Sequence, residues 1–126
     1  MMKEIVYTSK APKPVGPYNQ AVLTGGTLYI SGQIPIKPET GELVANDIKA
    51  ETRQVLNNIN EILKEAGMNF KNLVKTTIYL TKLDIFISVN EEYEKVFSGN
   101  YPAREIACVA GLPLNANIEI SGIAVK

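Results

Sequence analysis

Two residues near the C-terminus have the type and setting to do chemistry. In the stretch YPAREIACVAGLPLNANIEISGIAVK (101–126), Arg104 opens a short apolar run, Glu105 to Ala110, and Glu119 stands near the start of a second. A lone charge in an apolar strand is costly to bury unless something pairs with it. Either the two partner each other across neighbouring strands, or both face a ligand. The chain contains no histidine. Ser-His-Asp and Cys-His catalysis and imidazole-ligated zinc are therefore excluded. Any proton transfer falls to Glu, Asp, Tyr, Lys, Cys or bound water. Tyr18 follows a Gly16-Pro17 turn in a proline-stiffened loop, a setting that often carries function on a rigid scaffold. It suits a site, or equally the covering of one end of the core.

The elements that must hold these residues follow from periodicity. Residues 3–8 suggest a first strand. Ala21–Leu23 and Leu28–Ser31, joined at Gly25-Gly26, read as a hairpin that ends at Ser31-Gly32-Gln33. A glycine at position 32 permits close approach of a ligand or another strand. Residues 34–46 form a loop with two prolines and a Thr40-Gly41 turn. The clearest helix runs from Asp47 to Ala66, with Ile48, Thr52, Val55, Leu56, Ile59, Ile62 and Leu63 repeating at three and four. Asn46 or Asp47 caps it, Gly67 ends it, and Asn57, Asn58, Asn60 and Glu61 fall on its other face. Leu73–Thr81 is a strand with Val74, Thr76, Ile78 and Leu80 on one side. A second helix, Ile85 to Ser98, is expected behind an Asp84 cap, with Phe86, Val89, Tyr93, Val96 and Phe97 on its buried stripe. Asn90, in mid-helix where Asn is a poor helix former, either bonds a ligand or a neighbouring loop or is merely solvated, and the solvated reading is the plainer one. The last two strands are expected as a hairpin turning at Gly111–Asn117, with Ile118, Ile120, Gly122 and Ala124 on one face of the second. By alternation Cys108 shares Arg104's strand face and reads as a small buried apolar residue.

The result is an α+β chain: a mixed sheet of about six strands with two helices on one face. Thr77, Tyr79, Ile123 and Val125 then share the other face and are too apolar to meet water together. A symmetric oligomer would bury them. At 126 residues, 45% hydrophobic and 21% charged, the sequence fits one soluble domain spanning 1–126. Thirteen basic and thirteen acidic residues cancel, and the basic ones are scattered, so no nucleic-acid footprint is present. The single cysteine excludes an internal disulfide. No run approaches a signal peptide or a membrane span, so a cytoplasmic location is expected, with no membrane partner.

Several blocks occur together in order: Gly16-Pro17-Tyr18, Ser31-Gly32-Gln33-Ile34-Pro35, VKTTIYLT, Val89-Asn90-Glu91-Glu92-Tyr93, Pro102-Ala103-Arg104 and Ile118-Glu119-Ile120. In these the chain resembles the Rid (YjgF-type) family of reactive imine/enamine deaminases, over essentially its whole length. The resemblance implies a chorismate-mutase-like fold, a homotrimer whose three sheets close a central barrel, and active sites in the clefts between subunits. It implies hydrolysis of 2-imino acids, such as 2-iminopropanoate and 2-iminobutanoate, to 2-keto acids and ammonia. No cofactor and no metal are implied. Residue by residue, Arg104 is similar to the arginine that clamps the substrate carboxylate, where a planar fork gives a bidentate match. Glu119 is similar to the residue that orients or deprotonates the attacking water. Tyr18, Ser31, Gly32 and Asn90 match positions lining the pocket. The pattern departs from the family at Glu105 and Ile106, where a small residue and a cysteine are usual, and at Ser121, where a second acid is common. The backbone N–H of Ile106 can still bind the carboxylate, because that contact needs no side chain. These departures bear on substrate preference more than on fold.

Two other readings compete. One is a non-catalytic binder that uses Arg104 for a keto acid or amino acid. The other is an RNA-acting protein, which the zero net charge, the missing histidine and the absence of a basic stripe argue against.

Overall fold

The computed structural model describes residues 2–126. Strands β1 (Glu4–Val6), β2 (Ala21–Thr24) and β3 (Thr27–Gln33) come first, then helix α1 (Ile48–Glu65), strand β4 (Leu73–Leu80), helix α2 (Phe86–Glu94), and strands β5 (Ala103–Cys108) and β6 (Ile118–Val125). They form one six-stranded sheet in the order β1-β2-β3-β6-β4-β5. β5 runs parallel to β4, and every other pairing is antiparallel. Leu28 and Ile30 of β3, Ile78 and Leu80 of β4, and Ile118 and Ile120 of β6 pack against Val55, Ile59, Ile62 and Leu63 of α1 and Val89 and Tyr93 of α2. Both helices thus cover one face of a mixed sheet, as expected, and the opposite face is left open. That face carries Tyr29, Thr77, Tyr79, Ile123 and Val125 at least partly exposed.

The expected β5–β6 hairpin does not form. β4 lies between the two strands and pairs with both. The physical reason is burial: β4 and β6 each place alternate apolar residues in the core, whereas β5 has no buried residue and takes the sheet edge. Cys108 is accordingly exposed, not buried. Within β4 the register shifts between Leu73 and Lys75, so Leu73 enters the core and Val74 stands exposed, which corrects the expected face.

Helix α1 starts where expected, with Asp47 accepting a hydrogen bond from the Ala50 N–H at 3.3 Å and Gly67 in the left-handed region after it. Asn58 is fully buried rather than on the outer face. Its Nδ2 donates to the carbonyls of Ile36 (3.0 Å) and Ile34 (3.4 Å), fixing the loop after β3 to the helix. Helix α2 is shorter than expected. Asp84 lies in a preceding 3-10 turn (Leu83–Ile85) with no capping bond, and after Glu94 the N–H groups of Val96 and Phe97 bond three residues back instead of four. Among the described residues no helix is long and apolar enough to cross a membrane.

Gln20 is a buried amide whose role sequence patterning does not signal. Its Oε1 accepts from the Thr8 N–H at 2.8 Å, and its Nε2 donates to the carbonyls of Thr8 (3.0 Å), Ala11 (3.3 Å) and Pro12 (2.9 Å). It therefore anchors the proline loop that leads to Tyr18. Replacing Gln20 with Ala strands these groups, and we expect a loss of about 2–4 kcal/mol, read as a lower denaturant midpoint at unchanged slope.

Candidate active site

Glu119 and Arg104 are positioned by different faces of the sheet. In β6, Ile118, Ile120, Gly122 and Ala124 face the helices, so Glu119 and Ser121 face the open side. Glu119 pairs with Tyr79 of β4, while Arg104 pairs with Thr76, a core-facing position. Within one chain the two charges are thus roughly 10 Å apart along the strands and roughly 10 Å across them, on opposite faces. They are not partners. None of the ion pairs among the described residues includes either one.

Around Glu119 the sheet is irregular. The β3–β6 register shifts between Ile30 and Gln33, which puts Ser31 and Gly32 in a bulge beside the carboxylate. A Cβ on Gly32 would lie 2.5 Å from Glu119 Oε2 and 2.7 Å from its Cδ. Any side chain at position 32 would have to push that carboxylate aside. Ser31 Oγ donates to the Asn19 carbonyl at 2.6 Å, and the Ser31 N–H donates to the Gln20 carbonyl at 2.9 Å. These bonds tie the loop bearing Tyr18 to the bulge. Tyr18, Ser31, Gly32 and Glu119 together line a cavity of about 420 Å³. The Tyr18 ring lies against Gly16, and its hydroxyl accepts a long bond from the Val15 N–H (3.4 Å). Burial alone pushes the Glu119 carboxyl above its ordinary range. A half-buried carboxylate with raised basicity beside an open cavity is suited to accepting a proton from water. Gly32→Ala should displace this carboxylate by direct contact. We expect a severalfold or larger fall in the rate of any reaction that Glu119 assists, with an unaltered circular-dichroism spectrum.

Arg104 sits in a second cleft, about 370 Å³, lined by Asn90, Tyr93, Glu94, Tyr101 and Pro102. Its Nη1 donates to Asn90 Oδ1 at 2.8 Å, and its guanidinium carbon lies 4.9 Å from the centre of the Tyr93 ring. The Tyr93 hydroxyl is in turn hydrogen-bonded to Thr76 Oγ1 at 2.7 Å. Asn90 is therefore not merely solvated: it orients the guanidinium from helix α2. Hydrogen bond and cation–π contact together orient the arginine, which forms no ion pair among the described residues. The Val109 N–H donates to the Leu80 carbonyl at 2.8 Å. By strand alternation the N–H of Ile106 then turns away from β4, toward the unpaired sheet edge. Glu105, on the opposite strand face from Arg104, pairs with Lys75 at 2.8 Å.

The structure thus gathers the sequence-derived residues into two groups: Tyr18, Ser31, Gly32 and Glu119 in one, and Asn90, Arg104 and the Ile106 edge in the other. Glu51 was missed. This buried carboxylate accepts from Asn117 Nδ2 at 3.1 and 3.3 Å, and burial raises its pKa. It lines neither cavity.

The family model described as endoribonuclease L-PSP matches residues 8–126. The chain belongs to the Rid (YjgF) family. Relatives of this Rid chain include a RutC family protein of Pyrococcus abyssi, 48% identical over 100% of this chain and 99% of the relative. The human protein named 2-iminobutanoate/2-iminopropanoate deaminase is 45% identical, over 100% of this chain and 92% of the relative. Among solved structures, E. coli TdcF with bound serine superposes with a TM-score of 0.93 at 38% identity, covering 98% of each chain. The mixed six-stranded sheet with two helices is the Rid fold.

Proposed function

We propose that this Rid chain is a hydrolytic deaminase of small 2-imino acids, acting in the cytoplasm, with each active site shared by two protomers of a homotrimer. The observation that carries this reading is the division of the candidate residues. Arg104, in no ion pair among the described residues, lies in one cleft, and Glu119, likewise in no ion pair, lines another. A site that uses both needs the Arg104 cleft of one copy against the Glu119 cavity of the next. The open, partly apolar sheet face and the unpaired β5 edge favour self-association. The trimeric barrel implied by the family resemblance would cover both. The name of the human relative supports the imino-acid substrates, and the serine bound by TdcF supports a ligand carrying a carboxylate beside a nitrogen-bearing carbon.

In this mechanism the Arg104 guanidinium and the outward N–H of Ile106 hold the substrate carboxylate. Tyr18 closes the cleft over the substrate nitrogen. Glu119 holds a water within roughly 3 Å of the iminium carbon and accepts its proton as the C–O bond forms. The carbon–nitrogen π pair moves to nitrogen, giving a neutral amino group on a tetrahedral carbon. That nitrogen takes up the proton from Glu119, and the C–N bond breaks as the hydroxyl oxygen forms the carbonyl and loses its proton to the departing ammonia. One iminium and one water become one 2-keto acid and one ammonium. No cofactor enters this balance. The iminium carbon beside a carboxylate is already electrophilic, so catalysis is chiefly positioning and proton transfer.

The test is an imino acid generated in situ by a dehydratase acting on serine or threonine, with its decay followed by semicarbazide trapping. Accelerated decay at catalytic protein concentration is expected. If the protein binds 2-ketobutanoate yet leaves the decay rate unchanged, the non-catalytic binder is the correct reading. The family model's description favours a second activity, cleavage of RNA. The zero net charge of this chain predicts no salt-dependent RNA binding, and such binding would reopen that reading.

A further inference from the structure

Within one chain the Glu119 cavity, about 420 Å³, is lined by more residues than the four the proposed reaction uses. Its lining mixes two kinds of residue. Tyr18, Ser31, Gly32 and Glu119 supply the reactive groups. Val15 from the proline loop, Ile34 and Ile36 from the loop after β3, and Leu114 from the turn before β6 are apolar, and Lys13 and Gln33 add polar groups to the same lining. The apolar residues are rigidly supported: buried Asn58 holds the carbonyls of Ile34 and Ile36, and buried Gln20 holds the loop leading to Val15.

Leu114 is the informative residue. Its backbone is left-handed (φ 56°, ψ 24°), a conformation that a bulky side chain avoids, and Asn115 follows with φ 58°. Such strain persists where the surroundings impose it, and it concentrates at ligand clamps. Packing in the core does not offset it, because Leu114 is 63% exposed. Val15, which lines the same cavity, is 84% exposed. Two exposed apolar side chains on two separate loops thus line one cavity.

We infer that Leu114 and Val15, backed by Ile34 and Ile36, form the subsite for the substrate side chain and select 2-imino acids with longer or branched aliphatic side chains. The inference rests on the proposed deaminase activity and names its preferred substrate class. Apolar contact ranks substrates by methylene count, at about threefold to fivefold in kcat/KM per added methylene.

The experiment uses the full-length protein and an L-amino-acid oxidase to produce imines from alanine, 2-aminobutyrate, norvaline and leucine. kcat/KM is measured for each by semicarbazide trapping. For the wild type it should rise along the series, with the leucine-derived imine at least tenfold above the alanine-derived one. Leu114→Gly removes the side chain and relieves the backbone, so the fold should hold, and the ratio should fall by at least fivefold. Val15→Ser, on an exposed loop, should lower the same ratio. A wild-type ratio near or below one overturns the inference while the deaminase reading stands, as does a ratio unmoved in both variants. If no imine in the series decays faster with protein present, the deaminase reading falls, and the inference with it.

Discussion

Replacing Arg104 with alanine should lower kcat/KM for 2-iminobutanoate by roughly 10²–10³-fold, the cost of removing one partner from a close charge pair. Arg104 is exposed on an edge strand and takes part in no ion pair among the described residues, so stability should change little. Its interactions with Asn90 and Tyr93 orient it; they do not hold the core together. Arg104→Lys should recover only part of the loss, since an ammonium keeps the charge but not the planar fork. Asn90→Ala should act in the same direction more weakly, mainly through KM, by loosening the guanidinium. Steady-state kinetics beside thermal melts separate these outcomes. Wild-type rates in Arg104→Ala would remove the arginine from the site.

Replacing Glu119 with glutamine should lower kcat by about 10²–10⁴-fold, the usual contribution of a positioned general base. The amide fills the same space beside Gly32 but cannot take the proton from water. Burial raises the Glu119 pKa, and the group must be ionised to act. The wild-type rate should therefore fall as pH drops through a value above the ordinary glutamate range, while the residual rate of Glu119→Gln shows no such limb. Stability should move the other way. A carboxyl whose folded pKa is raised contributes favourably below its unfolded pKa, and that contribution is lost as pH rises through the folded value. Glu119→Gln, which escapes that loss, should melt above wild type at neutral pH, and the gap should close in acid. A variant that is slower yet more stable marks a group kept for chemistry at the expense of stability.

Much of this arrangement is legible in the chain, and the exceptions share a cause. Strong periodicity marks α1, the β2–β3 hairpin and the alternation in β6, because each buries one face and a slip would expose it. Strand order is a different matter. β5 and β6 are adjacent in sequence with turn residues between them, which is the signature of a hairpin. What separates them is competition for the centre of the sheet, won by the more apolar β4. Asn58 and Gln20 look like surface polar residues because their partners are backbone carbonyls far along the chain, which no spacing records. For Asn58 a signal was present: it lies three after Val55 and four before Ile62, on the buried stripe. Val74 was misplaced because a bulge breaks the period of two. For the site, the residue types were legible, as was the close approach that Gly32 permits. That Arg104 and Glu119 stand on opposite faces of the sheet was not; it argues against a pair within one chain and agrees with the clefts between subunits that the family resemblance implies.

The most direct test of a shared site is complementation between two inactive variants. Arg104→Ala and Glu119→Gln chains would be refolded together as a one-to-one mixture and assayed beside each variant alone. A mixed cyclic trimer contains one boundary where an intact Arg104 meets an intact Glu119, so activity should return to about one quarter of the wild-type value. A mixture that assembles yet stays as inactive as its parents would contradict the shared site.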